Sequence, residues 1–315
     1  MIGDVSQSVM TSISSCSAAA PASSSHLLLS RQDDTLRIDA TAPGDARSAT
    51  YRYRPESPKP GIHPLVTPRG HVLTGWQMSD HVWHRGLWFT IKFVNSDNFW
   101  EERAPFGRQV TCAGQPVLEP VGADGARITH KQQWISPSGD AVMEESRVID
   151  TRLADDGVIV LDWDIGLRAL RDVVLDRTPF TTWGGYGGFS LRASREMHEV
   201  DFLLPDGKTV SSISGDRHPW VVMRGRMDGG ADERVSICMV DHPENPITPV
   251  PWYAKSANGF TFINAAFLFH GPLTTAAGAT LRFRYRLLYR DGLWNAAEAA
   301  TLAASCCQAR SAAIA

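Results

Sequence analysis

From Leu36 to Gly292 the chain runs in short β-favouring segments broken by Gly, Pro, Asn and Asp, the pattern of a sandwich or barrel. The clearest segment lies near its end. There Leu281, Phe283, Tyr285, Leu287 and Tyr289 alternate with Arg282, Arg284 and Arg286. Successive side chains on a strand point to opposite faces, so this segment is predicted to be a half-buried antiparallel strand.

Eleven stretches read as strands in this way: Leu36 to Ala40, Thr50 to Tyr53, Leu87 to Val94, Ala126 to Ile135, Val142 to Ile149, Val158 to Leu167, Phe189 to Arg192, Trp220 to Arg226, Val235 to Val240, Phe260 to Phe269 and Thr280 to Tyr289. So many strands imply two packed sheets, an all-β antiparallel sandwich. The one convincing helix follows Asp291, where Ala, Leu and Glu dominate up to about Ala304. The predicted organisation is a Ser/Ala-rich disordered tail over residues 1–25, a single β-sandwich domain over 36–292, and a peripheral Ala-rich helix and tail over 293–315.

The chain has 315 residues, 43% hydrophobic and 21% charged, enough apolar surface for a real core. Lys and Arg number 31 against 34 acidic residues, and no basic stripe is present, so nucleic acid is not an expected partner. The longest nearly apolar run, Gly259 to Phe269, falls well short of the roughly 20 residues that a membrane helix needs. Cys16, Cys112, Cys238, Cys306 and Cys307 are odd in number and lack CxxC or Cys/His spacing. With no secretory pattern at the start, these thiols point to a reducing cytoplasm.

Chemistry concentrates between Ile62 and Glu102, a stretch holding His63, His71, His81, His84, Asp80, Arg85, Trp88, Trp100, Glu101 and Glu102. Histidine serves as general acid, general base or metal ligand. Adjacent strand positions face opposite ways, so Asp80 can orient His81 only if the chain folds back. DHVWHR is therefore expected to be a loop that sets His81, His84 and Arg85 at one end of a sheet. Leu87, Phe89 and Ile91 share one face of the following strand and turn Trp88 to the other, where it either packs under a second layer or stacks on a ligand. Trp100 has the same two readings. Glu101 is a reserve acid or base, its alternative a solvated loop end.

Two further segments qualify. In TPFTTWGGYGGFSLRAS, no Lys-Ser/Thr follows the glycines and what comes next looks like strand, so a phosphate loop and a nucleotide cofactor are rejected. Arg192 is the polar residue of that apolar strand, either ion-paired for structure or an anchor for a hydroxyl or carboxylate. In MVDHPENPITPVPW, four prolines stiffen a loop that displays Asp241, His242, Glu244 and Asn245. His63, His81, His84 and His242 with a carboxylate would suit a divalent metal, but no HExxH or facial-triad spacing fixes one.

The order HPLVTPRG, DHVWHRGLWF, VNSDNFWEE, GGYGGFSLR, VDHPENPITPVPW and RFRYRLLYRDG resembles the PmoA-like family, a domain of unknown function labelled for methane oxygenase. The family's pattern has paired histidines before Arg-Gly, where this chain has Trp83 then His84. The methane label fits poorly with a chain that lacks membrane spans. The resemblance implies a mutarotase-like supersandwich and a place in sugar catabolism. On it rests the expected activity: hydrolysis, elimination or epimerisation of a sugar or glycoside, by acid/base chemistry at His81 and His84. His63, Arg85, Trp88, Trp100, Arg192, Asp241, His242 and Asn245 would line the site. The alternatives are a non-catalytic sugar-binding module and a metal-dependent lyase or oxygenase.

Overall fold

The computed structural model describes residues 27–40, 48–54, 56–112, 114, 116–154, 157–178, 187–229 and 233–305. The Ser/Ala-rich tail over 1–25 lies outside them, as do residues 179–186 of the glycine-bearing segment. The described residues form two large antiparallel sheets. The nine-stranded sheet runs Leu27–Gln32, Thr35–Ala40, Ser48–Arg52, Gly61–Val66, Leu87–Ile91, Gly187–Arg192, Phe260–Ala265, Pro251–Ala257, Ser212–Arg217. The ten-stranded sheet is built around the long strands Gly125–Ile135, Ala141–Leu153, Ile159–Ala169, Thr280–Asp291, Arg234–Asp241 and Trp220–Arg226, in that order. The all-β sandwich read from the alternation is the observed architecture.

One apolar core fills the space between the sheets and reaches from Leu36 to Tyr289. Phe283, Tyr285, Leu287 and Tyr289 face into it. On the opposite face of the same strand Arg282 and Arg286 pair with Asp164 and Asp162, and Arg284 pairs with Glu244. A buried polar network crosses the core as well. Tyr51 Oη lies 2.8 Å from His130 Nδ1, and Arg147 Nε donates to Glu145 at 2.7 Å. Burial, then the nearby Arg147, push His130 down to about 3, so the ring is neutral in the folded protein.

The helix Ala296–Ala304 starts at Asn295, whose side chain accepts from the backbone of Ala297 and Glu298 while Glu298 returns a bond to the cap. Ala299 and Ala303 bury against Trp294, Val222 and Leu288 on the outside of the ten-stranded sheet, so the helix is peripheral, as expected. No helix among the described residues is long and apolar enough to cross a membrane. Cys112 is half-buried and Cys238 is buried.

Candidate functional site

The nine-stranded sheet has a second, unusual face. Leu87, Phe89, Ile91, Phe189, Leu191, Ile263 and Ala265 point into the core. Strand alternation then forces Trp88, Ser190, Arg192, Phe262 and Asn264 outward. The register aligns Trp88 with Ser190, Ser190 with Asn264 and Asn264 with Tyr253, and in the next row Arg192 with Phe262 and Phe262 with Lys255. This outer face is not open to solvent. Trp88, Trp100 and Phe262 form a separate buried aromatic cluster, with Trp83, Tyr253 and Phe260 half-buried around it.

Its cover is a hairpin. DHVWHR was expected to be a loop, but His81–Arg85 is a strand paired with Trp76–Met78 across a turn at Ser79 and Asp80. The tertiary reason lies at its base. Gly75 N donates to Arg192 O, Gly86 N to Gly75 O and Arg192 N to Gly86 O, which tie the hairpin to the end of the strand Gly187–Arg192. Gly86 sits at φ +67°, and a Cβ there would lie 2.2 Å from Ile62 O. Only glycine lets the chain turn so close to its neighbour before it enters Leu87–Ile91.

The hairpin lays two imidazoles on the aromatic cluster. The rings of His81 and His84 stack at 4.7 Å, and His84 stacks in turn with Phe262 at 5.2 Å and lies 4.9 Å from Trp88. His84 is 1% exposed. Burial above all, then the charges of His81, Arg192, Lys59 and Arg85, hold it well below the usual imidazole range, so it is neutral. His81 keeps 30% of its side-chain surface, and its Nδ1 lies 3.3 Å from Asp80 Oδ2. The fold-back that Asp80 needed is the hairpin turn.

Asp80 also accepts from Arg192 Nη2 at 2.7 Å, and Arg195 approaches its other oxygen at 3.5 Å. Burial pushes the Asp80 carboxyl up, but the Arg192 guanidinium outweighs it and the net shift is downward. Arg192 is itself fully buried, its guanidinium 4.2 Å from the Phe260 ring centroid. Eight buried side-chain atoms of this face have no hydrogen-bond partner: Nδ1 of His81, both nitrogens of His84, Nε1 of Trp83 and Trp88, Nε and Nη1 of Arg192, and Oδ1 of Asn264. Native structures leave few such atoms, and a cluster of them marks a place where water or a ligand completes the bonding.

Other expected residues flank this centre or leave it. Arg85 is buried and held by Val82 O, Ser57 and Glu102, the last at 2.6 Å, so its donors serve the loop beneath. Glu102 also takes Lys59, whose ammonium donates to Trp100 O at 2.6 Å. Burial draws Lys59 down to about 8 despite Glu102. Glu101 pairs with Lys92. His63 stacks on Trp76 at 5.9 Å with Nδ1 3.0 Å from Thr74 Oγ1, and burial followed by the charge of Arg52 lowers it to about 4. Trp88 and Trp100, expected as stacking platforms, are 0% and 1% exposed and offer no open face.

Asp241, His242 and Asn245 do not join the imidazole pair. Asp241 turns inward and accepts from Asn245 Nδ2, Thr248 Oγ1 and Val250 N at 2.7, 2.8 and 2.9 Å. Burial nevertheless raises its carboxyl to about 6. Asn245 also accepts from Arg284 N and donates to Arg284 O, while the backbone of Glu244 donates to His242 Nδ1. The proline-rich loop is thus a braced crossing from one sheet to the other, and the shared rim expected of His81, Arg192 and His242 is not formed. The four imidazoles proposed for a metal do not converge. Among the described residues no group of three or more His, Cys, Asp or Glu is placed to hold one.

Sequence reasoning missed Asp80 as a partner of Arg192, and missed Lys59, Phe260, Phe262 and Asn264 altogether. One signal was present: Asn264 is a polar residue within the apolar run FTFINAAFLF, as Arg192 is in its own strand.

Fold and site together define a two-sheet antiparallel β protein with an imidazole and guanidinium centre on the covered outer face of one sheet. The chain belongs to a family of unknown function, DUF6807, whose profile matches residues 40–304. That match replaces the PmoA-like assignment drawn from the motif order. No curated protein matches the chain. Among solved structures it is similar to a GalM/aldose epimerase homologue from C. elegans (8% identity, 85% of this chain and 99% of that one, TM-score 0.37). It is also similar to a putative kojibiose phosphorylase from the human microbiome (9% identity, 89% and 36%, TM-score 0.34) and to the heparan sulfate lyase HepC from Pedobacter heparinus (9% identity, 85% and 35%, TM-score 0.27). Similarity at this level assigns no activity.

Proposed function

We propose that the protein is an enzyme that acts on a sugar or glycoside by proton transfer through His81 and His84, with Arg192 stabilising the charge that develops on a substrate oxygen. The observation that carries this reading is the set of eight unpartnered polar atoms gathered at and around a partly exposed imidazole. The negative charge of Asp80, 3.3 Å from Nδ1 though not hydrogen-bonded to it, favours the tautomer of His81 whose proton is on that nitrogen, which leaves Nε2 with the lone pair of a general base. His84, neutral and stacked on it, has one N–H to give and one lone pair to receive. Trp83, Phe260 and Tyr253, half-buried at the margin, take the stacking role first given to Trp88 and Trp100.

Glycosidases of the common kind use two free carboxyl groups. Here Glu101 and Glu102 are both bound to cations, so acid/base work falls to imidazoles, which favours epimerisation or elimination over hydrolysis. The test is a screen of purified protein against glycosides and their keto-oxidised forms, with products followed by NMR. His81→Ala and His84→Ala, shown to be folded by circular dichroism, are expected to lower turnover by about 100-fold or more. Unchanged turnover in both variants eliminates the reading.

A further inference from the structure

Resting on that acid/base reading, we propose that the substrate carries a carboxylate, as a uronic or aldonic acid does, and that Arg192 receives it. A guanidinium has five N–H donors. Asp80 engages Nη2, whereas Nε with its one N–H and Nη1 with its two have no protein acceptor, although the residue is fully buried. Phe260 covers the flat of the group, so an acceptor must approach in its plane. Three buried charged donors without acceptors are costly, and an anionic oxygen satisfies them best, because charge-assisted bonds are stronger than neutral ones.

The charge balance points the same way. Arg192 and Arg195 share the single carboxylate of Asp80. Lys59 and Arg85 share that of Glu102. Arg103 lies over Trp83, and Lys255 is in register with Phe262, the neighbour of Arg192. Positive charge is therefore in excess on this face. The balance around Arg192 itself, two guanidiniums against one carboxylate, matches a monoanion. A phosphate dianion beside Asp80, which already occupies the same guanidinium, would meet about twice the like-charge repulsion that a carboxylate meets.

The experiment is a tryptophan-fluorescence titration of the full chain with D-glucuronate, D-galacturonate and D-gluconate against D-glucose and D-galactose. The wild type is expected to bind at least one acid about 10-fold or more tighter than its neutral counterpart, with the preference shrinking between about 20 and 200 mM salt. Arg192→Gln is expected to bring the preference within about 2-fold, and Arg192→Lys to retain part of it. Wild-type affinity for neutral sugars equal to that for acids overturns the carboxylate proposal and leaves the acid/base reading standing, and this comparison needs no variant. Full acid preference in a folded Arg192→Gln protein also overturns it, by removing Arg192 as the receiver. Failure of every sugar to bind overturns both.

Discussion

Replacing His84 separates a functional imidazole from a structural one. Its ring is 1% exposed, lies among Trp88, Trp100 and Phe262, and has neither nitrogen hydrogen-bonded. A buried polar group without partners costs about 1–3 kcal/mol. His84→Phe removes that cost and keeps an aromatic ring against Phe262 and Trp88, while the extra volume costs up to about 1–3 kcal/mol if the neighbours cannot shift. The net effect is bounded by about 2 kcal/mol of destabilisation if the neighbours hold rigid and about 3 kcal/mol of stabilisation if they yield. For a domain of this size the bounds are a fall in Tm of about 4–8 °C and a rise of about 6–12 °C, readable in a thermal melt by circular dichroism. His84→Leu, closer in volume but without the ring contacts worth about 0.5–1.5 kcal/mol each, should fall slightly lower. Both variants should lose turnover, the stability and activity trade-off expected of a group kept for function. A loss of more than about 2 kcal/mol in both variants, with turnover intact, would show that the nitrogens hold the fold together and would refute the reasoning.

Three other outcomes follow from the same structure. His130, held down to about 3, binds fewer protons in the folded than in the unfolded chain. Its contribution to stability is therefore complete above about pH 6.5 and is lost as pH falls toward 3, at up to about 1.4 kcal/mol per pH unit. Urea midpoints at about pH 7 and pH 5 should differ less in His130→Gln than in the wild type. Asp241, raised to about 6, has the opposite sign: its contribution is present below about pH 4 and lost as pH rises through 6, so Asp241→Asn should flatten the stability profile over that interval. Asp241→Ala strips the acceptor from three donors and should cost about 3 kcal/mol or more, yet leave turnover per folded molecule unchanged, as measured by an active-site titration alongside denaturation.

Much of the fold was legible because alternation is a local property. The last long strand announced its core face and its outer face through Phe283 to Tyr289 and the intervening arginines, and the outward turn of Trp88 followed from Leu87, Phe89 and Ile91. The centre at His81, His84 and Arg192 was legible in part, since polar groups in apolar or Trp-rich surroundings stand out in a sequence. What brought them together was not legible. The hairpin Trp76–Met78 with His81–Arg85 depends on backbone bonds to Arg192, more than 100 positions away, and on the close pass of Gly86 by Ile62. Asp241 and His242 misled because a proline-rich loop with polar residues looks the same whether its side chains face a ligand or brace a crossing. Only the three donors that converge on Asp241 tell the two apart.

The central claim, that His81 and His84 form the working face of a ligand site, is tested most directly by nitrogen NMR of protein labelled in its ten histidines, titrated with the tightest-binding sugar of the panel. The account predicts that the largest ring-nitrogen shifts fall on His81 and His84, with His242 and His130 still. Shifts at His242 while His81 and His84 stay silent would contradict it.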